Sequence, residues 1–229
     1  MRVLAFETAT RRLSVALWQD GELIERSGEV ANGGSERILP WTYELLAEAG
    51  IALAQVDGVA FGAGPGGFTG LRLACGVAQG LAWGLDIPVV PVSTLEALAQ
   101  ASGRGRIWTC LDARMNEIYS AAYLVADDGV VELMAPACAA PAVAPVPDDK
   151  NMWGVGDGFA TYGQQLLARK SDMAGLRQDV FPTAAAVVRL AAPRLGAGRG
   201  VAAAAAQPIY VRDKVAFTTA ERLARGGVR

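Results

Sequence analysis

A chain of 229 residues that is 52% hydrophobic and 19% charged can bury a substantial core and is too apolar to remain unfolded. Its net charge of −2, from 21 basic and 23 acidic residues, disfavours a grip on a nucleic-acid backbone by this chain alone. It holds no histidine, which removes Ser-His-Asp and Cys-His devices and every imidazole metal site.

In chain order, residues 3–6 form an apolar strand ending at Glu7, too short and too soon interrupted for a signal peptide. Residues 14–18 form a second strand, and Asp20-Gly21 turns it into a third over 22–26, because Asp-Gly between apolar runs is a strong hairpin signal. The polar stretch 31–34 leads to Ser35 as a helix N-cap, with Ile38, Leu39, Thr42, Leu45, Leu46 and Ala49 on one side, Pro40 in the first turn and Gly50 as the stop. Residues 56–61 make a buried strand, GAGPGGFTG fills 62–70, and 71–83 make a helix. The strand 87–92 and a short helix capped by Ser93 or Thr94 follow.

After a break at 102–105 the pattern starts again. Residues 107–111 form a strand that ends in Asp112, matching Glu7. Residues 118–124 and 130–133 pair across Asp127-Asp128-Gly129, and 152–155 lead into Gly156-Asp157-Gly158 and a helix over 161–169. The Ala/Pro-rich stretch 135–147 reads as an extended surface loop and 196–206 as an exposed connector. Thr183 caps a helix to Leu195, and 222–229 read as frayed. The duplication implies two α/β lobes, each opening with a strand that ends in a carboxylate beside a hairpin. No run is long enough to span a membrane, so the chain reads as soluble and cytoplasmic. Cys75, Cys110 and Cys138 form no Cys-x-x-Cys pair and read as small buried hydrophobes.

Strand, glycine loop and helix can aim backbone N–H groups at an anion, with Gly66, Gly67 and Thr69 as the contacts. Two familiar cradles fail in detail. The Gly62/Gly64/Gly67 spacing fits a dinucleotide fingerprint, but Asp86 lies at the wrong end of the next strand to hold a ribose. The Walker outline has Phe68 where the lysine belongs. A tight turn with glycines for close packing is the competing reading. Gly76, Gly80 and Gly84 bare one stripe of the following helix, at a cost of roughly 1 kcal/mol each against Ala. Close approach of a partner helix, or of the chain's own sheet, would offset that cost.

The motifs ETAT (7–10) with SVALW (14–18), ERILP (36–40), GPGGFTGLR (64–72), PVVPVSTLE (88–96), LDAR (111–114), GDG (156–158) and PIYVR (208–212) run in order along nearly the whole chain. Together they resemble the TsaB (YeaZ) family, and GPGGFTGLR is the specific motif. The chain departs from the family at Glu7, where Asp is usual, at Gly67, where Ser is usual, and at Gly33 and Gly34, where a His is common.

The resemblance implies an α/β, duplicated ribonuclease H-like fold, that of actin, Hsp70 and sugar kinases (ASKHA). The lobes would span 1–102 and 103–229, the last segment packing back on the first. It implies a non-catalytic subunit for threonylcarbamoyl transfer to the adenosine beside the tRNA anticodon. Catalysis would lie in a TsaD-like partner, with a TsaE-like ATPase in the complex, tRNA met only through it, and a homodimer as a further association. In a working member of the fold, Glu7 and Asp112 would position a metal–nucleotide at the cleft; here each reads as capping the turn that follows it, and no cofactor or metal is expected. Arg37, Trp41 and Leu45 on the first helix, with Gly76 and Gly80 on the second, are the expected partner face. The alternatives are an independent nucleotide-binding phosphotransferase of the same fold and, on glycine spacing alone, a nicotinamide oxidoreductase.

Overall fold

A computed structural model describes residues 1–30 and 34–212, so Gly33 and the stretch 222–229 lie outside the described residues. Two five-stranded sheets share one strand order. The first comprises β1 (Arg2–Glu7), β2 (Arg12–Gln19), β3 (Glu22–Glu29), β4 (Gly58–Gly64) and β5 (Val89–Ser93), arranged β3-β2-β1-β4-β5. The second comprises β6 (Gly105–Arg114), β7 (Glu117–Ala126), β8 (Gly129–Ala139), β9 (Trp153–Val155) and β10 (Gly175–Arg177), arranged β8-β7-β6-β9-β10. In each, the first strand pairs antiparallel with the second and parallel with the fourth, which pairs parallel with the fifth. This is the duplicated ribonuclease H-like fold in two lobes.

The period-2 alternation of strands assigns the faces of the first sheet. Leu4 and Phe6 of β1 face one core with α1 (Gly34–Glu48) and α2 (Phe68–Leu85). Val3 and Ala5 face the opposite core with α5 (Ala184–Gly196). Both faces are covered, which is why β4 is buried along its whole length. The hairpin turn at Asp20 and Gly21 has φ of 50° and 104°, the paired positive values of a type I′ turn. Gly50, at φ 66°, closes α1 in a Schellman arrangement: its N–H donates to Ala47 O at 3.1 Å, and Ile51 N–H donates to Leu46 O at 3.0 Å.

The first three N–H groups of α5 are all satisfied, two of them from the first sheet. Ala184 donates to Ser14 Oγ at 2.7 Å, Ala185 to Glu25 Oε1 at 2.8 Å, and Ala186 to the Thr183 cap at 3.1 Å. Thus α5, late in the chain, is seated on the first sheet. Conversely, α3 (Thr94–Ser102) packs Leu95, Leu98 and Ala99 against the second sheet, alongside β6 and β7. The remaining helix, α4 (Asp157–Arg169), covers the other face of β6 through Phe159 and Leu166.

Several expectations are corrected. The helix α1 begins at Gly34, so Ser35 lies inside it and Pro40 falls in its second turn, where one helical hydrogen bond is missing. Residues 135–139 continue β8 instead of forming a loop; Pro136 is tolerated because β8 is an edge strand. The Gly/Ala-rich connector is not simply exposed: Val201 bridges Val89 across two backbone hydrogen bonds, and Ala203 and Ala206 are buried against the first core. Cys75 and Cys110 are buried, but Cys138 only half so. Among the described residues no helix is long and apolar enough to cross a membrane.

Candidate functional site

The glycine loop lies over the turn that follows β1, and its composition follows from that crossing. A Cβ on Gly62 would fall inside the Glu7 carboxylate, and one on Gly70 inside the Thr8 carbonyl. A Cβ on Gly66 would stand 2.6 Å from that of Ala9, a separation real Cβ atoms do not show. The contact is also hydrogen-bonded. Gly67 N–H donates to Ala9 O at 2.7 Å, and Thr8 Oγ1 donates to Gly70 O at 2.6 Å.

Glu7 sits beneath this crossing with no exposed surface. Its Oε1 accepts the Ala9 N–H at 2.7 Å, and its Oε2 is buried without a hydrogen-bond partner among the described residues. Burial pushes its carboxyl up to about 7, against the smaller downward pull of the Ala9 and Thr8 amides and the Thr94 hydroxyl. The second lobe repeats the geometry at Asp112, whose Oδ1 accepts the Arg114 N–H at 2.8 Å. Asp112 N–H in turn donates to Asp157 Oδ1 at 3.0 Å. Burial raises the Asp157 carboxyl, and the neighbouring Asp112 charge adds to the rise. Both Glu7 and Asp112 therefore cap their own turns, two residues on.

Between the lobes lies a cleft of about 950 Å³, walled by Thr8 to Arg11 and Gly66 to Gly70 on one side and by Leu111 to Arg114 and Asp157 on the other. Gly66, Gly67 and Thr69 reach it; Glu7 is not among its lining residues. These residues do not reproduce a Walker-type phosphate cradle. The Gly67 amide is already engaged by Ala9, Phe68 stands where a phosphate-binding lysine would be needed, and the Glu7 carboxyl is enclosed. Among the described residues there is no group of three or more His, Cys, Asp or Glu able to hold a metal ion.

The outer surface of α1 and α2 is different in character. On α2, Leu71, Ala74, Cys75, Ala78 and Ala82 face the sheet, which leaves Gly76, Gly80 and Gly84 pointing outward, with none of the described residues within 4 Å of where a Cβ would stand. Packing on the chain's own sheet is thus not what the glycine stripe does. Trp83 beside it is 73% exposed. On α1, the Arg37 guanidinium lies 5.9 Å from the ring centroid of Trp41, which is half-buried against the first core.

Leu45 is corrected as a partner residue. It is wholly buried in the first core, because the 100° step of the helix turns it inward with Ile38, Thr42 and Leu46. Tyr43, 57% exposed, and Leu39 face outward instead. The sequence reading set Leu39 on the same side as Ile38 and Leu45, which the structure corrects, and it missed Tyr43 and Trp83; for Trp83 the signal was there, since it stands three residues after Gly80 on the same helical face.

Comparison with known proteins bears on the same features. The family model for TsaD, tRNA N6-adenosine threonylcarbamoyltransferase, matches residues 29–207. The tRNA threonylcarbamoyladenosine biosynthesis protein TsaB of Escherichia coli is 33% identical over 95% of this chain and 97% of its own length. The protein of that name from Haemophilus influenzae is 35% identical over 95% and 96%. The solved structure of YeaZ from Pseudomonas aeruginosa superposes with a TM-score of 0.84 at 36% identity, covering 91% of this chain and 99% of that one.

Proposed function

Because this chain belongs to the TsaB (YeaZ) family and serves the biosynthesis of threonylcarbamoyladenosine in tRNA, we propose that it does so as a non-catalytic subunit, docking a TsaD-like transferase on the outer face of α1 and α2. The observation that carries this reading is the outward glycine stripe of α2. Gly76 and Gly80 in the body of the helix, and Gly84 in its last turn, weaken it unless something uses the missing side chains. A bare stripe lets a second helix approach closer than the usual 8–10 Å between axes, so backbone and Cα atoms pack directly. Trp83, Tyr43 and Leu39 are large exposed apolar side chains on the same two helices, of the kind that anchors an interface.

The cleft supports the negative half of the proposal. The Gly67 amide of the loop is engaged by Ala9 and the Glu7 carboxylate is enclosed, which supports assigning transfer chemistry to the partner. A TsaE-like ATPase completes the assembly, tRNA is met through the complex, and the compartment is the cytoplasm.

Co-purification with the cognate TsaD-like protein, followed by a tRNA modification assay with and without this chain, tests the reading. Gly80→Leu should abolish co-purification while leaving the fold intact, and modification should require the chain. Modification that proceeds equally well without it would overturn the proposed role. Turnover of ATP by the isolated chain would favour the phosphotransferase alternative instead.

A further inference from the structure

We propose that residues 206–212 form a strap between the lobes that holds a strained turn at the mouth of the cleft, with Arg212 as its latch. The strap is anchored on the first lobe at three points. Ala206 O accepts from Gln79 Nε2 of α2 at 2.9 Å, Ile209 N–H donates to Ala63 O at the end of β4 at 2.7 Å, and Arg72 Nε donates to the Tyr210 hydroxyl at 3.4 Å. It then crosses to the second lobe. There Arg212 Nη2 donates to Ala113 O at 2.9 Å and to Glu117 Oε2 at 2.6 Å, and the guanidinium lies 5.7 Å from the Tyr119 ring centroid.

Those second-lobe contacts bracket the β6–β7 turn, whose backbone is unusual. Arg114, Met115 and Asn116 have φ of 60°, 56° and 59°, three successive residues in the left-handed region without a glycine among them. Asn tolerates that region, but Arg and Met do not favour it, and such strain persists only where surrounding contacts fix it. Asp112 holds the start of the turn through the Arg114 amide, and Arg212 holds its two flanks, Ala113 and Glu117. The pairing with Glu117 is charge-assisted and largely shielded, the Arg212 side chain being 15% exposed. Since Ala113 and Arg114 line the cleft opposite the glycine loop, the latch sets the position of that wall. The inference stands independently of the proposed role in tRNA modification.

Hydrogen–deuterium exchange on the full chain tests it. Arg212→Ala should accelerate exchange over 113–118 roughly tenfold or more, as expected for losing a charge-assisted hydrogen bond, while β1 keeps its wild-type protection. Adding Met115→Gly should slow that exchange again, because glycine takes a φ near 56° without strain. Unchanged exchange over 113–118 in Arg212→Ala would overturn the proposal, and so would equal acceleration in β1 with no rescue by Met115→Gly. If Arg212→Ala does not fold, Glu117→Gln replaces it: a local acceleration of several-fold supports the latch, and none refutes it.

Discussion

Glu7→Gln is expected to remove a large pH-dependent part of the chain's stability. The Glu7 carboxyl, ordinarily at 4.5, is pushed up to about 7 by complete burial, with its Oε2 lacking a partner among the described residues. Below pH 4.5 the group is neutral in both folded and unfolded chains, and its burial is tolerated in full. Between 4.5 and about 7 the unfolded chain ionises while the folded one does not, so stability falls with each pH unit. Above about 7 the loss is complete. The interval is roughly 2.5 pH units at about 1.4 kcal/mol each, a loss on the order of 3 kcal/mol. Gln keeps an oxygen for the Ala9 N–H and never ionises. Thermal unfolding from about pH 5 to about pH 8 should show the wild-type midpoint falling relative to Glu7→Gln by roughly 6–12 °C. Glu25 and Asp157, also raised by burial, titrate in both proteins and cancel in the difference. Parallel curves for the two proteins would refute the assignment.

Three further outcomes follow from burial and packing. Leu45→Ala should cost about 2–5 kcal/mol of stability, read by urea unfolding, because it empties part of the first core. Trp83→Ala should move stability by less than about 0.5 kcal/mol yet weaken capture of the TsaD-like partner by about 2 kcal/mol or more, read by calorimetry. Gly70→Ala should destabilise by about 3 kcal/mol, since its methyl would enter the Thr8 carbonyl and push the loop from the β1 turn.

The hairpin at the start of each lobe and the repeat of the pattern were legible because their signals are local. Asp20-Gly21 forces a hairpin, apolar runs mark the central strands, and the pattern repeats after residue 105. What stayed hidden depends on contacts far along the chain. That the Gly67 amide is engaged depends on Ala9, 58 positions earlier, and no spacing rule reports it. The inward turn of Leu45 depends on how α1 is rotated over β2, and the apolar pairs Ile38-Leu39 and Leu45-Leu46 leave that rotation open within a residue. The strand β10 is three residues long, too short to carry a period, and β8 continues through Pro136 only because its outer edge is unpaired.

The duplication explains why a glycine-rich loop can identify a fold without reporting catalysis. In each lobe the chain leaves the fourth strand and crosses the end of the first at backbone contact. In the first lobe Gly62, Gly66 and Gly70 lie against Glu7, Ala9 and Thr8; in the second, Gly156 and Gly158 leave no room for a Cβ beside Cys110. Such a crossing demands glycine whether or not a phosphate ever binds, so the demand persists after a ligand is gone. The two copies differ in what they enclose. The first seals Glu7 away from the cleft, while the second leaves Asp112 on its wall. Among the described residues no comparable packing accounts for Gly76, Gly80 and Gly84, where an added Cβ would meet nothing within 4 Å. A helix that keeps such outward glycines at a cost in stability is the surface on which the proposed docking of a partner rests.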